Sequence, residues 1–296
     1  MRELTLIAVG WAPTEAGRDA LVLGELLART LDAELLVVTV EAGPGTDDRH
    51  REGDELEGEL ARTPAGSSIR ARSRVLTGGS VPKALLELAA SEPALGMLVL
   101  GSSHRAGLGR VLPGGVAAHL FGRLPCSIAV APRRYGDARA GSSRPALAER
   151  PRVIAVAFDA SNEARAALDL AAEIGAAAEA TLRVIAVDSR SYPGTAEPRP
   201  ETAPASAGAI DLQSELHETV AALPSELRTL PIYERGAPVE VLLSHAEEGV
   251  DLLVMGSRGY GRLQAALLGT TSTAVISAAP CPVVVVPRPA LGAANG

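Results

Sequence analysis

Near the end of this chain stand Gly256-Ser-Arg-Gly259, then nine residues, then Gly269-Thr270-Thr271-Ser272. Glycine lets a backbone turn tightly and come close to a ligand with no Cβ in the way. Thr270, Thr271 and Ser272 fall where a helix would start, so their N–H groups lack intrahelical acceptors and hydroxyls stand beside them. Such a cluster of donors suits phosphate oxygens. A second polar residue, Asp159, closes the apolar run Val153-Ile-Ala-Val-Ala-Phe158. A carboxylate repels phosphate, but it accepts hydrogen bonds from ribose hydroxyls or from an adenine amino group. Taken singly, each feature has a plainer reading. A Gly-rich turn is a loop, and Asp159-Ala-Ser-Asn162 is a helix N-cap.

Their positions along the chain bring them together. Short apolar runs near 152–158, 181–187, 229–234, 251–255 and 282–287 read as strands. Longer amphipathic stretches near 162–176, 209–223, 237–248 and 270–278 read as helices between them. Strand alternating with helix implies a parallel sheet covered on both faces, doubly wound by right-handed crossovers. In a five-stranded sheet of order 3-2-1-4-5 the winding reverses between the first and fourth strands, and ligands bind outside the carboxyl ends there. The first strand ends at Asp159 and the fourth at Gly256, so the two polar features are expected to face each other across one crevice.

The chain contains this unit twice. Residues 98–115, LVLGSSHRAGLGRVLPGG, parallel 253–270, LVMGSRGYGRLQAALLGT. The spacing of 155 between Gly101 and Gly256 recurs between Cys126 and Cys281 and between Pro132 and Pro287. Near the start of each half, LIAVGWAPTEAGRDAL at 6–21 parallels VIAVAFDASNEARAAL at 153–168. The expected domains are 1–134 and 152–289, joined by a polar, Gly/Ser/Pro-rich linker at 135–151. A proline-rich stretch at 189–208 reads as a surface insertion, and the acidic region 43–67 as a short helix with a solvated face.

Composition narrows the function. The chain has 296 residues, 47% apolar, 2% aromatic and 21% charged, with a net charge of −7. Few base-stacking side chains and no basic surplus argue against nucleic acid. Lys83 is the only lysine and no Gly-Lys-Ser/Thr occurs, which excludes a Walker-type loop. No apolar run is long enough to span a bilayer. The start, MRELTLIAVGWAP, reads as a first strand and not as a signal peptide, so a cytoplasmic protein is expected. The five histidines lack metal-site spacing. Cys126 and Cys281 read as buried small hydrophobes. Thr77-Gly-Gly-Ser80 reads as a turn into a helix, and no Ser-His-Asp arrangement can be assigned.

The second half resembles a universal stress protein domain. It has a strand running into Asp, VIAVAFDAS, and the glycine signature G-2x-G-9x-G-(S/T), matched by Gly256, Gly259, Gly269 and Thr270. The leading Asp251-Leu-Leu-Val-Met255 and trailing Pro280-Cys-Pro-Val-Val-Val-Val-Pro287 fit as well. The resemblance implies two tandem Rossmann-like domains of the adenine nucleotide alpha hydrolase type, and members that keep the signature bind ATP. It further implies that Asp159 contacts the adenosine part and that Val187 lines an adenine pocket. Gly256, Arg258, Gly259, Gly269, Thr270, Thr271 and Ser272 would surround ribose and phosphates, with Mg2+ on the phosphates. In that family the last strands pair across a dimer. Here the halves are expected to pair with each other through 127–132 and 282–287, with a further homodimer as an option.

The first half departs from the pattern. Ala12 replaces the Asp, His104 the second Gly, where its Cβ and imidazole are expected to crowd the turn, and Gly115 the Ser/Thr, while Pro113 stiffens the loop and Gly96 stands where the second half has Asp251. The expectation is an ATP-binding stress-response or regulatory protein with one nucleotide, in the second half. The alternatives are a slow ATPase or autophosphorylating enzyme using the same pocket, and a nucleotide-independent dimerisation scaffold. No second carboxylate is evident to activate a water, which favours binding over turnover.

Overall fold

The computed structural model describes residues 4–41, 69–137, 150–189, 211–257 and 269–287. The linker's central part, most of the 189–208 insertion, the 43–67 region, Arg258 and Gly259 lie outside the described residues. The first half runs β1 (Leu6–Gly10), α1 (Glu15–Leu31), β2 (Glu34–Glu41), β3 (Ala71–Thr77), α2 (Val81–Ser91), β4 (Leu95–Gly101), α3 (Gly115–Leu120) and β5 (Ser127–Ala131). The second runs β6 (Val153–Phe158), α4 (Asn162–Ala178), β7 (Thr181–Asp188), α5 (Leu212–Ala221), β8 (Arg228–Arg235), α6 (Pro238–Glu247), β9 (Leu252–Gly256), α7 (Thr270–Ile276) and β10 (Val283–Val286).

The strands form because their Val, Ile, Leu and Ala runs are buried on both faces of a sheet, as in β9, where all five residues are buried. The two long helices match in detail. Each spans 17 residues and opens on a hydroxyl cap, Thr14 Oγ1 accepting from Gly17 N and Ser161 Oγ from Ala164 N, both at 3.1 Å. Each ends at a residue in the left-handed region, Asp32 at φ 51° and Glu179 at φ 55°.

Both halves have strand order 3-2-1-4-5, and the whole is one ten-stranded sheet, β3-β2-β1-β4-β5-β10-β9-β6-β7-β8. Every pairing between these strands within a half is parallel. The halves meet where β5 and β10 pair antiparallel, Val283 opposite Val130 and Val285 opposite Ile128. Helices α1, α4 and α5 cover one face, and α2, α3, α6 and α7 the other. Each face carries one apolar cluster, and each cluster draws residues from both halves. Across the joint, Leu4 N also donates to Glu173 Oε1 at 2.8 Å. Among the described residues no helix is long and apolar enough to cross a membrane.

Candidate functional site

In the second half a cleft of about 520 Å³, its open mouth included, lies at the carboxyl ends of β6, β7 and β9. It sits where β6 and β9 run side by side and the crossovers leave in opposite directions. Asp159, Val187, Gly256, Thr271 and Ser272 all line it. Gly269 and Thr270 open helix α7 beside it without lining it, Thr270 being exposed.

The floor is apolar: Ile185 and Val187 from β7, Met255 from β9, and Pro238 and Leu242 from α6. Only Val187 of these is anticipated in the sequence. Ile185 is two residues earlier, so period-2 alternation puts it on the same face and could have found it. The α6 residues carry no such signal, because only the packing of that helix onto the sheet brings them in.

Asp159 is half-buried at the rim, and its Oδ1 accepts the N–H of Ser161 at 3.0 Å. The helix cap in Asp159-Ala-Ser-Asn162 is therefore Ser161. The turn between them needs Ala160 at φ 62°, a left-handed conformation that costs a non-glycine residue of order 1 kcal/mol. That turn tucks the Asp159 carboxylate toward the cleft beside the start of α4.

The glycine-rich side differs from the expectation in its reasons. Gly256 has no positive φ among the described residues. A Cβ there would lie 2.8 Å from the Glu163 Cβ and 2.9 Å from its carbonyl carbon, so glycine is required by the close approach of α4 to the end of β9. Ser272 is buried and its hydroxyl donates to the Gly256 carbonyl at 3.1 Å, so what it presents to the cleft is lone-pair capacity and a backbone N–H. Gly269 N donates to Ser257 O at 3.0 Å and ties the start of α7 to the end of β9. The first N–H groups of α7 lack intrahelical acceptors, as at any helix start. The cleft thus offers an acceptor on one rim, an apolar floor, and donors with a half-buried hydroxyl, Thr271, on the other rim.

At the corresponding strand end of the first half the chain turns differently. Ala12 replaces Asp159, Pro13 replaces Ala160, and Thr14 N donates to the Ala12 carbonyl at 2.7 Å. A Cβ on Gly17, where the second half has Ala164, would lie 2.0 Å from that carbonyl oxygen. The three hydroxyls at the start of α7 become Gly115, Val116 and Ala117. His104 is exposed and its φ is not positive, so it does not crowd the turn. Gly96 and Asp251 also stand apart from the site, at the amino ends of their strands. Asp251 Oδ2 accepts from Arg152 N and Val153 N at 2.8 and 3.0 Å, whereas Leu4 packs over Gly96.

Both cysteines are buried, and burial pushes each thiol up to about 12. Thr77-Gly-Gly-Ser80 connects β3 to α2, with Ser80 as its N-cap. Among the described residues no three His, Cys, Asp or Glu side chains group as metal ligands would.

Two doubly wound domains fused edge to edge, one with an open crevice at its switch point, define the class. The sequence profile of the universal stress protein family matches residues 4–132 and 151–287, and the chain belongs to that family. Universal stress protein YxiE of Bacillus subtilis is 45% identical over 56 residues, 19% of this chain and 38% of that protein. A universal stress protein of Thermus aquaticus is 45% identical over 53 residues, 18% of this chain and 39% of the relative, so the matches span well under half of either relative. A crystal structure of a universal stress protein from Archaeoglobus fulgidus aligns over 97% of this chain and 100% of its own, with a TM-score of 0.64 at 19% identity. That likeness concerns the fold.

Proposed function

We propose that this protein holds one adenine nucleotide, ATP, in its second half and acts as a nucleotide-responsive regulatory protein of the cytoplasm. The observation that carries the reading is the cleft that joins Asp159, Val187, Gly256, Thr271 and Ser272 around one volume. Its parts fit the ligand's parts. The apolar floor suits the flat base, the Asp159 carboxylate suits hydroxyl or amino donors, and the α7 end suits phosphate oxygens. Arg258, Gly259, Gly269 and Thr270 belong to the same proposal, as residues that would surround ribose and phosphates. With a single carboxylate at the cleft among the described residues, Mg2+ would be held by the phosphates themselves.

The domain limits 1–134 and 152–289 are part of this reading, with the β5–β10 ladder serving as an internal counterpart of a two-chain interface. Titration calorimetry of the full chain with ATP tests it. One nucleotide per chain is expected, with binding weakened in Asp159→Ala. Two sites of similar affinity, or no binding, would overturn the proposal.

A further inference from the structure

The altered signature loop of the first half does not lie idle. Within residues 102–114, Arg110 and Val111 reach across the joint to the second half. Val111, fully buried, donates its N–H to the carbonyl of Ala279 at 2.8 Å. Arg110 Nη1 donates to the carbonyl of Ala278 at 3.0 Å, and its Nη2 meets Glu247 Oε1 at 2.8 Å. Ala278 and Ala279 follow the end of α7, and Glu247 is the last residue of α6. One guanidinium therefore ties together the far ends of two helices whose near ends, Pro238 with Leu242 and Thr271 with Ser272, line the cleft.

We infer that Arg110 and Val111 form a positioning clamp through which the first half sets the affinity of the nucleotide site in the second. The inference rests on the nucleotide reading above. A helix of seven residues, such as α7, has little stability of its own, so its orientation depends on what holds its two ends. The near end is held by the Ser272–Gly256 and Gly269–Ser257 bonds. The far end is held by the clamp. Arg110 is 43% exposed and Glu247 56%, so their ion pair adds little to overall stability. Its effect is on preorganisation, the cost of fixing the helix when the ligand arrives.

Linkage makes the coupling reciprocal: if the clamp strengthens nucleotide binding, nucleotide must strengthen the clamp. The experiment is calorimetry of the full chain with ATP, combined with hydrogen exchange at the Val111 amide with and without ATP. For Arg110→Ala we expect about a 5- to 10-fold weaker Kd with an unchanged melting temperature of the ligand-free protein. In the wild type, ATP should slow exchange at Val111. Arg74→Ala is the control, since it also removes a first-half charge but pairs with Glu92 inside that half. An equal loss in Arg74→Ala, or ATP binding that leaves Val111 exchange unchanged, overturns the clamp and leaves the nucleotide site standing. No ATP binding by the wild type overturns the site and the clamp together.

Discussion

At the end of β1 the chain reads Trp11-Ala12-Pro13-Thr14, and at the end of β6 it reads Phe158-Asp159-Ala160-Ser161. The same N–H, at Thr14 or Ser161, finds two different acceptors. In the first half it donates to the backbone carbonyl of Ala12, and in the second to the carboxylate of Asp159. Proline fixes φ near −65°, so Pro13 cannot take the left-handed turn that Ala160 makes. The Ala12 carbonyl then turns onto α1, into the space that Gly17 leaves. The two strand ends thus differ at three coupled residues, and the missing carboxylate is only one of them.

The largest effect separating the halves is on ligand binding. Asp159→Ala should weaken ATP binding about 10- to 100-fold, as expected for losing a hydrogen bond to a charged group. Ala12→Asp should create no second site, because Pro13 and the turned carbonyl remain. Calorimetric stoichiometry checks both, and a second nucleotide in Ala12→Asp would break the comparison.

Next in size is the packing of glycine at the fourth strand of each half. Gly101→Ala should destabilise by about 3 kcal/mol, since the new Cβ would meet the Ala16 carbonyl oxygen at 2.0 Å. Gly256→Ala should cost less, about 1–2 kcal/mol, because its nearest contact is the Glu163 Cβ at 2.8 Å. Denaturant unfolding orders the two, and equal losses would show that both helices approach their strands alike.

A smaller difference concerns pH. Asp19 in α1, where α4 has Ala166, is buried and accepts the N–H groups of Arg134 and Gly136 at 2.8 and 2.9 Å. Burial raises its carboxyl above the ordinary 3.8, more than those bonds lower it. The folded chain therefore keeps this proton where the unfolded chain has released it. The associated stability is present below 3.8 and lost as pH rises through the raised value. Glu15 runs the other way. Its hydrogen bond from Arg133 lowers it below 4.5, so its contribution is present above 4.5 and lost as pH falls through the lowered value. Urea unfolding across this range should show Asp19→Ala losing the downward slope with rising pH and Glu15→Gln losing the upward one.

The smallest expected difference is between the thiols. With both pushed up to about 12, Cys126 and Cys281 should resist alkylation equally at pH 8 and react together on unfolding. Mass spectrometry after an iodoacetamide pulse reads this directly. Selective labelling of one cysteine would mean that the halves open independently.

Much of the fold is legible in the residues because fully buried parallel strands are nearly pure apolar runs with polar ends. The run read at 152–158 is β6 at Val153–Phe158, and that at 229–234 is β8 at Arg228–Arg235. The helix read at 209–223 is shorter, Leu212–Ala221, and opens on Asp211 as its cap. The strand ends that converge on the cleft follow from strand order alone. The reasons behind particular residues do not. Gly256 does line the cleft, but its lack of a Cβ is demanded by Glu163 packed against it, and His104 looks obstructive until it is found exposed. Arg110 carries no motif at all. Its partners lie 137 and 168 residues away, and only the meeting of β5 with β10 brings them within reach.

That meeting has a further consequence. The ladder pairs Val283, Val284 and Val285 with Val130, Ala129 and Ile128 inside a single polypeptide, so closing it is a unimolecular event. Two separate chains joined by the same strands would come apart on dilution, and their melting would vary with protein concentration. Here the joint persists however scarce the protein becomes, and a cell with few molecules has the same fraction assembled as a cell with many.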